Sequence, residues 1–207
     1  MKLAVFDFDS TLMDGETIDF LAKPLGLEKK VAGITERAMA GELDFFDSLS
    51  TRVALLEGLE KSKVEEICQN LPMMNGAMEV VAGLKKRGYK VICFSGGFRT
   101  ATTPACKQLG VDADFSNVLH EKNGILTGKV GGDMMFSFSK GDMLERLQNL
   151  LGINSIDTLV VGDGANDLSM FKYADTRVAF CAKPILKEAS THIIDTKDLR
   201  EILKILI

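Results

Sequence analysis

Short, strand-sized apolar runs alternate with amphipathic helical ones along this chain, and that alternation restricts the fold more than any other feature. Lys2–Phe8, Tyr89–Ser95, Asp157–Val161 and Arg177–Cys181 are apolar or β-branched and bounded by turn residues; His192–Asp195 is a fifth candidate strand. Helical patterns lie between them at Gly76–Arg87, Phe98–Leu109, Lys140–Leu151, Asn166–Tyr173 and Lys183–Ala189, with Asp198–Ile207 as a closing helix. This order predicts an α/β, Rossmann-like fold: a parallel sheet with helices on both faces. Asn117–His120 and Gly124–Val130, joined by Glu121-Lys122-Asn123, read as a β-hairpin.

The alternation breaks once. From Asp14 to about Met74 only helical patterns occur, at Glu16–Leu25, Glu28–Ala40, Asp44–Leu56 and Ser62–Leu71. The break predicts a small helical cap domain, 14–74, inserted after strand one of a core formed by 1–13 and 75–207. Such an insert would sit over the strand ends like a lid.

Composition excludes several function classes. Of 207 residues, 46% are apolar and 26% charged, an ordinary soluble balance. The 25 basic and 29 acidic residues give a net charge of −4, so no nucleic-acid or membrane surface is expected. Lys85-Lys86-Arg87 sits at a helix end, where cations favour the dipole. Cys68, Cys93, Cys106 and Cys181 are scattered, which argues against a disulfide framework or zinc site, and Cys93 reads as core. Asp7 interrupts the N-terminal apolar run too early for a signal peptide, and no apolar run is long enough to span a bilayer. A cytoplasmic monomer or homodimer is expected. His120 and His192 read as structural or surface residues, and Met134-Met135-Phe136 as an apolar loop that packs on the core or lines a contact.

The polar residues collect where strands end: Asp7-Phe8-Asp9-Ser10-Thr11, Ser95-Gly96-Gly97, and Gly162 through Asp167. In a parallel sheet these ends share one edge, where ligands bind. Residues two apart on a strand point the same way. Asp7 and Asp9 would then repel by roughly 4 kcal/mol at about 4 Å and an effective dielectric of about 20. A cation, a proton or an unusual backbone must relieve this. Each acid alone is an ordinary turn or cap residue. Asp7, Asp9, Asp163 and Asp167 together at strand ends point to a hard dication, Mg²⁺ above all. Ser139-Lys140-Gly141-Asp142 has capping-box spacing, with Ser139 as N-cap, and puts Lys140 in a first helical turn, where a nearby anion would justify it although a lone lysine there reads as solvated. Ser95-Gly96-Gly97 would open a helix with N–H groups suited to phosphate. Carboxylates, dication, lysine and helix N-terminus together predict phosphoryl transfer.

The strings DFDST, SGGF, the isolated Lys140 and GDGANDLSMF, in that order, resemble the haloacid dehalogenase superfamily. The longer DFDSTLMDGETID and GDGANDLSMFKYA are similar to its phosphoserine phosphatase family, and the likeness spans nearly the whole chain. The resemblance implies hydrolysis of phosphoserine, the last step of serine biosynthesis. Asp7 would be the nucleophile that forms an aspartyl-phosphate, and Asp9 the acid and then the base. Mg²⁺ would be held by Asp7, the Asp9 carbonyl and Asp163, with Asp167 supporting the metal or Lys140. Ser95, Gly96 and Lys140 would hold phosphate; Glu16, Met39, Phe45, Arg52 and Asn166 would line the substrate pocket. From the residues alone, Arg52 borders the apolar stripe Phe45, Leu49, Val53, Leu56, and Glu16 is a favourable charge at a helix start. A phosphotransferase, or a phosphatase of another small phosphomonoester, would use the same chemistry. A phospho-aspartate signalling receiver fits less well, because of the insert and the second acid.

Overall fold

Alternate side chains of Lys2–Asp7 enter two separate cores. Ala4 and Phe6 belong to one cluster, with Val91, Cys93, Leu159, Val161, Val178 and Phe180. Leu3 and Val5 belong to the other, with Ile92, Phe94, Val160 and Ala179. A strand buried on both faces reads as a continuous apolar run for this reason. The structure, a computed structural model, describes residues 1–39 and 42–206; of Glu36, Ala38 and Met39 it describes the backbone alone.

Among the described residues, the strands are β1 (Lys2–Asp7), β2 (Tyr89–Phe98), β3 (Ala113–Lys122), β4 (Ile125–Gly132), β5 (Thr158–Gly162), β6 (Thr176–Phe180) and β7 (His192–Ile194). They form one sheet in the order β4-β3-β2-β1-β5-β6-β7, parallel except for the antiparallel β3–β4 pair. The helices are α1 (Thr17–Ala22), α2 (Glu28–Met39), α3 (Phe45–Ala54), α4 (Lys61–Gln69), α5 (Ala77–Lys86), α6 (Arg99–Leu109), α7 (Ser139–Leu151), α8 (Leu168–Phe171), α9 (Pro184–Ala189) and α10 (Ile202–Ile205). Val80, Val81 and Leu84 of α5 and Ala101 and Ala105 of α6 close the first core. Leu144 of α7, Met170 and Phe171 of α8 and Leu186 of α9 close the second. No helix among the described residues is long and apolar enough to cross a membrane.

Helices α1 to α4 occupy the interval after β1, and their apolar faces join the first core through Leu21, Leu49, Val53 and Val64. The chain leaves and returns side by side: Asp14 N donates to Pro72 O (2.8 Å) and Met74 N to Leu12 O (2.9 Å). A second attachment joins the α3–α4 connection to the β3–β4 hairpin, through Gly58 N to Leu126 O, Leu126 N to Leu59 O and Lys61 N to Gly124 O. Asp44 caps α3 by accepting from Asp47 N at 2.7 Å.

Several expected boundaries shift. β2 runs on to Phe98, so Ser95-Gly96-Gly97 lies inside the strand and α6 starts only at Arg99. β3 begins at Ala113 and pairs first with β2, in parallel, before turning into the hairpin. Asp114 hides that start in the sequence; the Thr102 and Thr103 hydroxyls satisfy it at 2.7 and 3.1 Å. The expected helix Asn166–Tyr173 is a 3-10 turn, Ala165–Asp167, followed by α8. The expected capping box is absent: Phe138 is the N-cap of α7, and Ser139 Oγ instead accepts from Phe136 N at 3.1 Å. Ala40 and Ile207, expected helix ends, lie outside the described residues.

Leu84 is fully buried against the sheet on the α5 side. Leu84→Ala should cost about 2–5 kcal/mol of stability, the range for such a cavity. Urea denaturation checks this; a loss below about 1 kcal/mol would contradict the packing.

Candidate active site

The C-terminal ends of β1, β2 and β5 converge, and each delivers polar groups to one cleft. β1 ends at Asp7, and the chain passes at once into a wide turn, Phe8–Leu12. Asp9 is extended within that turn (φ −64°, ψ 135°), and Ser10 adopts a left-handed φ of 57°. The two acids are therefore not on one strand face, as alternation predicts. The backbone itself relieves their repulsion.

Asp7 is 3% exposed; its Oδ1 accepts from Phe8 N at 2.6 Å and pairs with Lys140 Nζ at 2.8 Å. Lys140, also 3% exposed, makes a second ion pair at 2.6 Å with Asp167 Oδ1. Asp167 Oδ2 accepts from Asp163 N (3.0 Å) and Gly164 N (3.1 Å), so the whole carboxylate is occupied. Gly162 leaves it room, since a Cβ there would lie 2.3 Å from Asp167 Oδ2. Lysine at the first turn of α7 opposes the dipole; the two acids explain its presence. Gly141, next on that turn, fits against the Ser169 carbonyl, 2.6 Å from where its Cβ would be.

Asp9 faces elsewhere. Its Oδ1 accepts from Thr17 N (2.7 Å) and Thr17 Oγ1 (2.5 Å), and its Oδ2 from Ser95 Oγ (3.3 Å). Ser95 Oγ accepts in turn from Gly97 N at 2.8 Å. Three carboxylates cluster, not the four expected: Asp7, Asp163 and Asp167 bring oxygens within 4.8 Å of one another, and Asp9 is absent from that group.

Electrostatics follow from burial. Burial, then repulsion from Asp167, raises the Asp7 carboxyl well above the ordinary range. The same two causes push Asp163 up to about 7. Burial opposes charge on Lys140, but the pairs with Asp167 and Asp7 outweigh it and raise its value. Burial also raises Asp9, against the hydrogen bonds from Thr17. Two buried acids, Asp7 and Asp167, and the half-buried Asp163 face one ammonium group, which leaves a deficit of two positive charges when all three are ionised. An all-oxygen donor set with that deficit suits a hard divalent cation. Both oxygens of Asp167 already accept from protein donors, so Asp7 and Asp163 are the carboxylates that keep an oxygen without such a partner.

The remaining predicted residues surround this centre unevenly. Phe45 reaches from α3 to Gly96, where a Cβ would meet its ring at 2.7 Å. Arg52, two turns further along α3, is half-buried and donates from Nε to Ser48 O at 3.2 Å. Burial lowers its value, opposed by Glu16, Asp19 and Asp9. Glu16 accepts from Ser10 Oγ at 2.8 Å. The residue is exposed by surface area, yet burial of its carboxyl and then repulsion from Asp9 push it up to about 8, with Asp163 and Arg52 acting in opposite directions. Asn166 lies on the 163–167 turn with Oδ1 against Gly164. Met39 ends α2, and its side chain lies outside the described residues.

One residue escaped notice in the sequence. Asn117, fully buried on β3, donates from Nδ2 to Gly96 O and Met134 O and accepts from Met134 N, all at 3.0 Å. It ties the Ser95–Gly97 segment to the loop before Lys140. The available signal was an asparagine inside a strand, where that residue is depleted.

Residues 1–175 match the family described as haloacid dehalogenase-like hydrolase. A relative from Wolinella succinogenes named phosphoserine phosphatase is 64% identical over 98% of this chain and 98% of its own. One of the same name from Methanocaldococcus jannaschii is 49% identical over 98% of this chain and 96% of its own. A solved structure of a phospho-aspartyl intermediate analogue of phosphoserine phosphatase superposes with a TM-score of 0.94 at 48% identity, covering 100% of this chain and 99% of that one.

A carboxylate whose folded value lies above its unfolded one contributes stability at low pH that is lost as pH rises through the folded value. With Asp163 at about 7, chelator-treated protein should lose thermal stability from about pH 5.5 to about pH 8. A divalent cation should cancel that loss, so its Tm increment should be larger at about pH 8. Equal increments at both pH values, read by calorimetry, would count against the cation site.

Proposed function

The chain belongs to the haloacid dehalogenase-like hydrolases, and within them to the phosphoserine phosphatases, and on that footing we propose that it hydrolyses O-phospho-L-serine to L-serine and phosphate. The observation that carries this reading is the division of labour between two acids two residues apart. Asp7 faces Lys140, whereas Asp9 faces Thr17 and Ser95.

In this mechanism a carboxylate oxygen of Asp7 attacks phosphorus, and the bond from phosphorus to the serine oxygen breaks. Asp9 gives its proton to the departing alkoxide, a step typically worth about 10²–10⁴-fold. Its burial-raised value supports the protonated role. Water then attacks the aspartyl-phosphate, Asp9 takes the water's proton, and Asp7 is regenerated as a carboxylate. Lys140, oriented by Asp167, neutralises phosphate oxygens, while Ser95 and the Gly96 N–H hold them. Mg²⁺, held by Asp7, Asp163 and the Asp9 carbonyl, would supply further neutralisation when bound.

The segment 14–74 serves as a cap that reads the serine half. Arg52 suits a bidentate grip on the substrate carboxylate, Glu16 suits the ammonium, and Phe45 screens the phosphate subsite. Met39 and Asn166 complete the pocket. One relevant solved structure, at TM-score 0.94 and 48% identity, is a substrate-bound phosphoserine phosphatase complex. Free thiols at Cys68, Cys93, Cys106 and Cys181 support a cytoplasmic location.

Asp7→Asn keeps shape and hydrogen bonding but removes the nucleophile. It should abolish phosphate release without lowering Tm, and more than a few per cent residual activity, with deamidation excluded by mass spectrometry, would remove Asp7 from that role. Arg52→Ala should lower kcat/KM for phosphoserine by about 2–4 kcal/mol, the scale of an unpaired charge-assisted contact. Ethyl phosphate, which lacks both amino and carboxylate groups, should be affected far less. Equal losses on the two esters would leave the substrate assignment without its main physical support.

A further inference from the structure

Three half-exposed phenylalanines form a stacked ladder beside the cleft. Phe46 of α3 stacks on Phe136 with centroids 5.4 Å apart and planes at 12°; Phe136 stacks on Phe138 at 5.3 Å and 0°. Their exposures are 39%, 47% and 55%, so core burial does not explain them. Nor does the mechanism use them. The ladder joins two parts of the chain far apart in sequence: the start of α3, and the loop leading into Lys140.

The loop side is fixed. Asn117 holds Met134 by both N–H and carbonyl, and Ser139 Oγ accepts from Phe136 N. Met134 and Met135 point into the cores, which leaves Phe136 on a braced platform. On the helix side, Leu49 and Val53 seat the middle of α3 on the first core. The connection after α3 is bonded to the β3–β4 hairpin, and Gly128 packs against Ala54 and Glu57. At the opposite end, Phe45 touches Gly96 and Phe46 meets Phe136. Phe45 and Arg52, seven residues apart, share a face of α3. Any swing of its first turn therefore moves both.

We propose that Phe136, through its stack on Phe46, is a positioning residue that seats α3 and so sets where Phe45 and Arg52 meet the serine half of the substrate. Phe138 backs the stack from the turn that carries Lys140, which puts substrate reading and phosphate binding in register. The proposal rests on the phosphoserine reading above.

Kinetics on phosphoserine and ethyl phosphate test it, using Phe46→Ala, Phe136→Ala and the double variant. Each single change should raise KM for phosphoserine about fivefold, the size expected from one aromatic pair, with kcat within about twofold. The double variant should lose no more than either single one, because both remove the same contact. Phe136→Tyr should restore KM, and ethyl phosphate turnover should stay within about twofold throughout. Additive losses, equal losses on both esters, or an unchanged KM would overturn the proposal. The chain contains no tryptophan, so Phe46→Trp supplies a lone indole. Adding Phe136→Ala should shift its emission to the red, and an unchanged spectrum would overturn the pairing whatever the substrate. A wild-type enzyme with no preference for phosphoserine over ethyl phosphate, but with that red shift, would instead refute the substrate reading alone.

Discussion

A buried lysine between two buried carboxylates is the interaction on which this molecule's chemistry depends. Lys140 lies between Asp7 and Asp167 at 2.8 and 2.6 Å, with almost no solvent to screen the charges. Such a cluster is weak as a stabilising device, because desolvation offsets most of the Coulomb gain. It is strong as a constraint, because removing Lys140 would leave two buried carboxylates uncompensated. The geometry fixes three chain segments at once: the end of β1, the first turn of α7 and the turn after β5. Asp167 anchors the cluster twice over, since its second oxygen holds the N–H groups of Asp163 and Gly164. The surplus negative charge then makes the site a receptor for cations, and a cation-loaded site a receptor for phosphate.

Around that cluster, backbone conformation gives the two acids different surroundings. Had β1 continued as a strand, Asp7 and Asp9 would share one environment. The turn at Phe8–Leu12 instead swings Asp9 toward the first turn of α1, where Thr17 meets it with two donors. Two carboxyls two residues apart thereby acquire different partners, the usual way one fold obtains an attacking base and a proton donor from the same residue type. Ser10 is held in the left-handed region to make that swing, and its hydroxyl reaches Glu16. The strained residue thus links the catalytic turn to the base of the insert.

Legibility in the sequence follows the range of the interaction. Strands such as Thr158–Gly162 are plain because burial on both faces demands an unbroken apolar run. The convergence of Asp7, Ser95 and Asp163 is plain because parallel strands must end on one edge. What is not legible depends on contacts between distant segments. Asp114 reads as a strand breaker until the hydroxyls of Thr102 and Thr103 are seen beside it. Ser139 reads as a cap until Phe136 N takes its oxygen. Asp9 reads as a fourth member of the acid cluster until the backbone turns it away. In each case a local rule was overruled by a partner that spacing alone does not reveal.

The same distinction bears on how the cleft divides its work. The acid cluster sits on strand ends that two cores pack from both sides. The residues proposed to read the rest of the substrate sit on α3, which Leu49 and Val53 seat on the first core, hairpin bonds hold after its end and aromatic contacts meet at its start. Glu16 and Arg52 act on each other, each shifting the other toward its charged form. On the proposed reading, a substrate with its own ammonium and carboxylate would replace that long-range pairing with two direct ones. A phosphate ester lacking both groups would leave it in place, so discrimination would arise where the insert meets the core rather than at phosphorus.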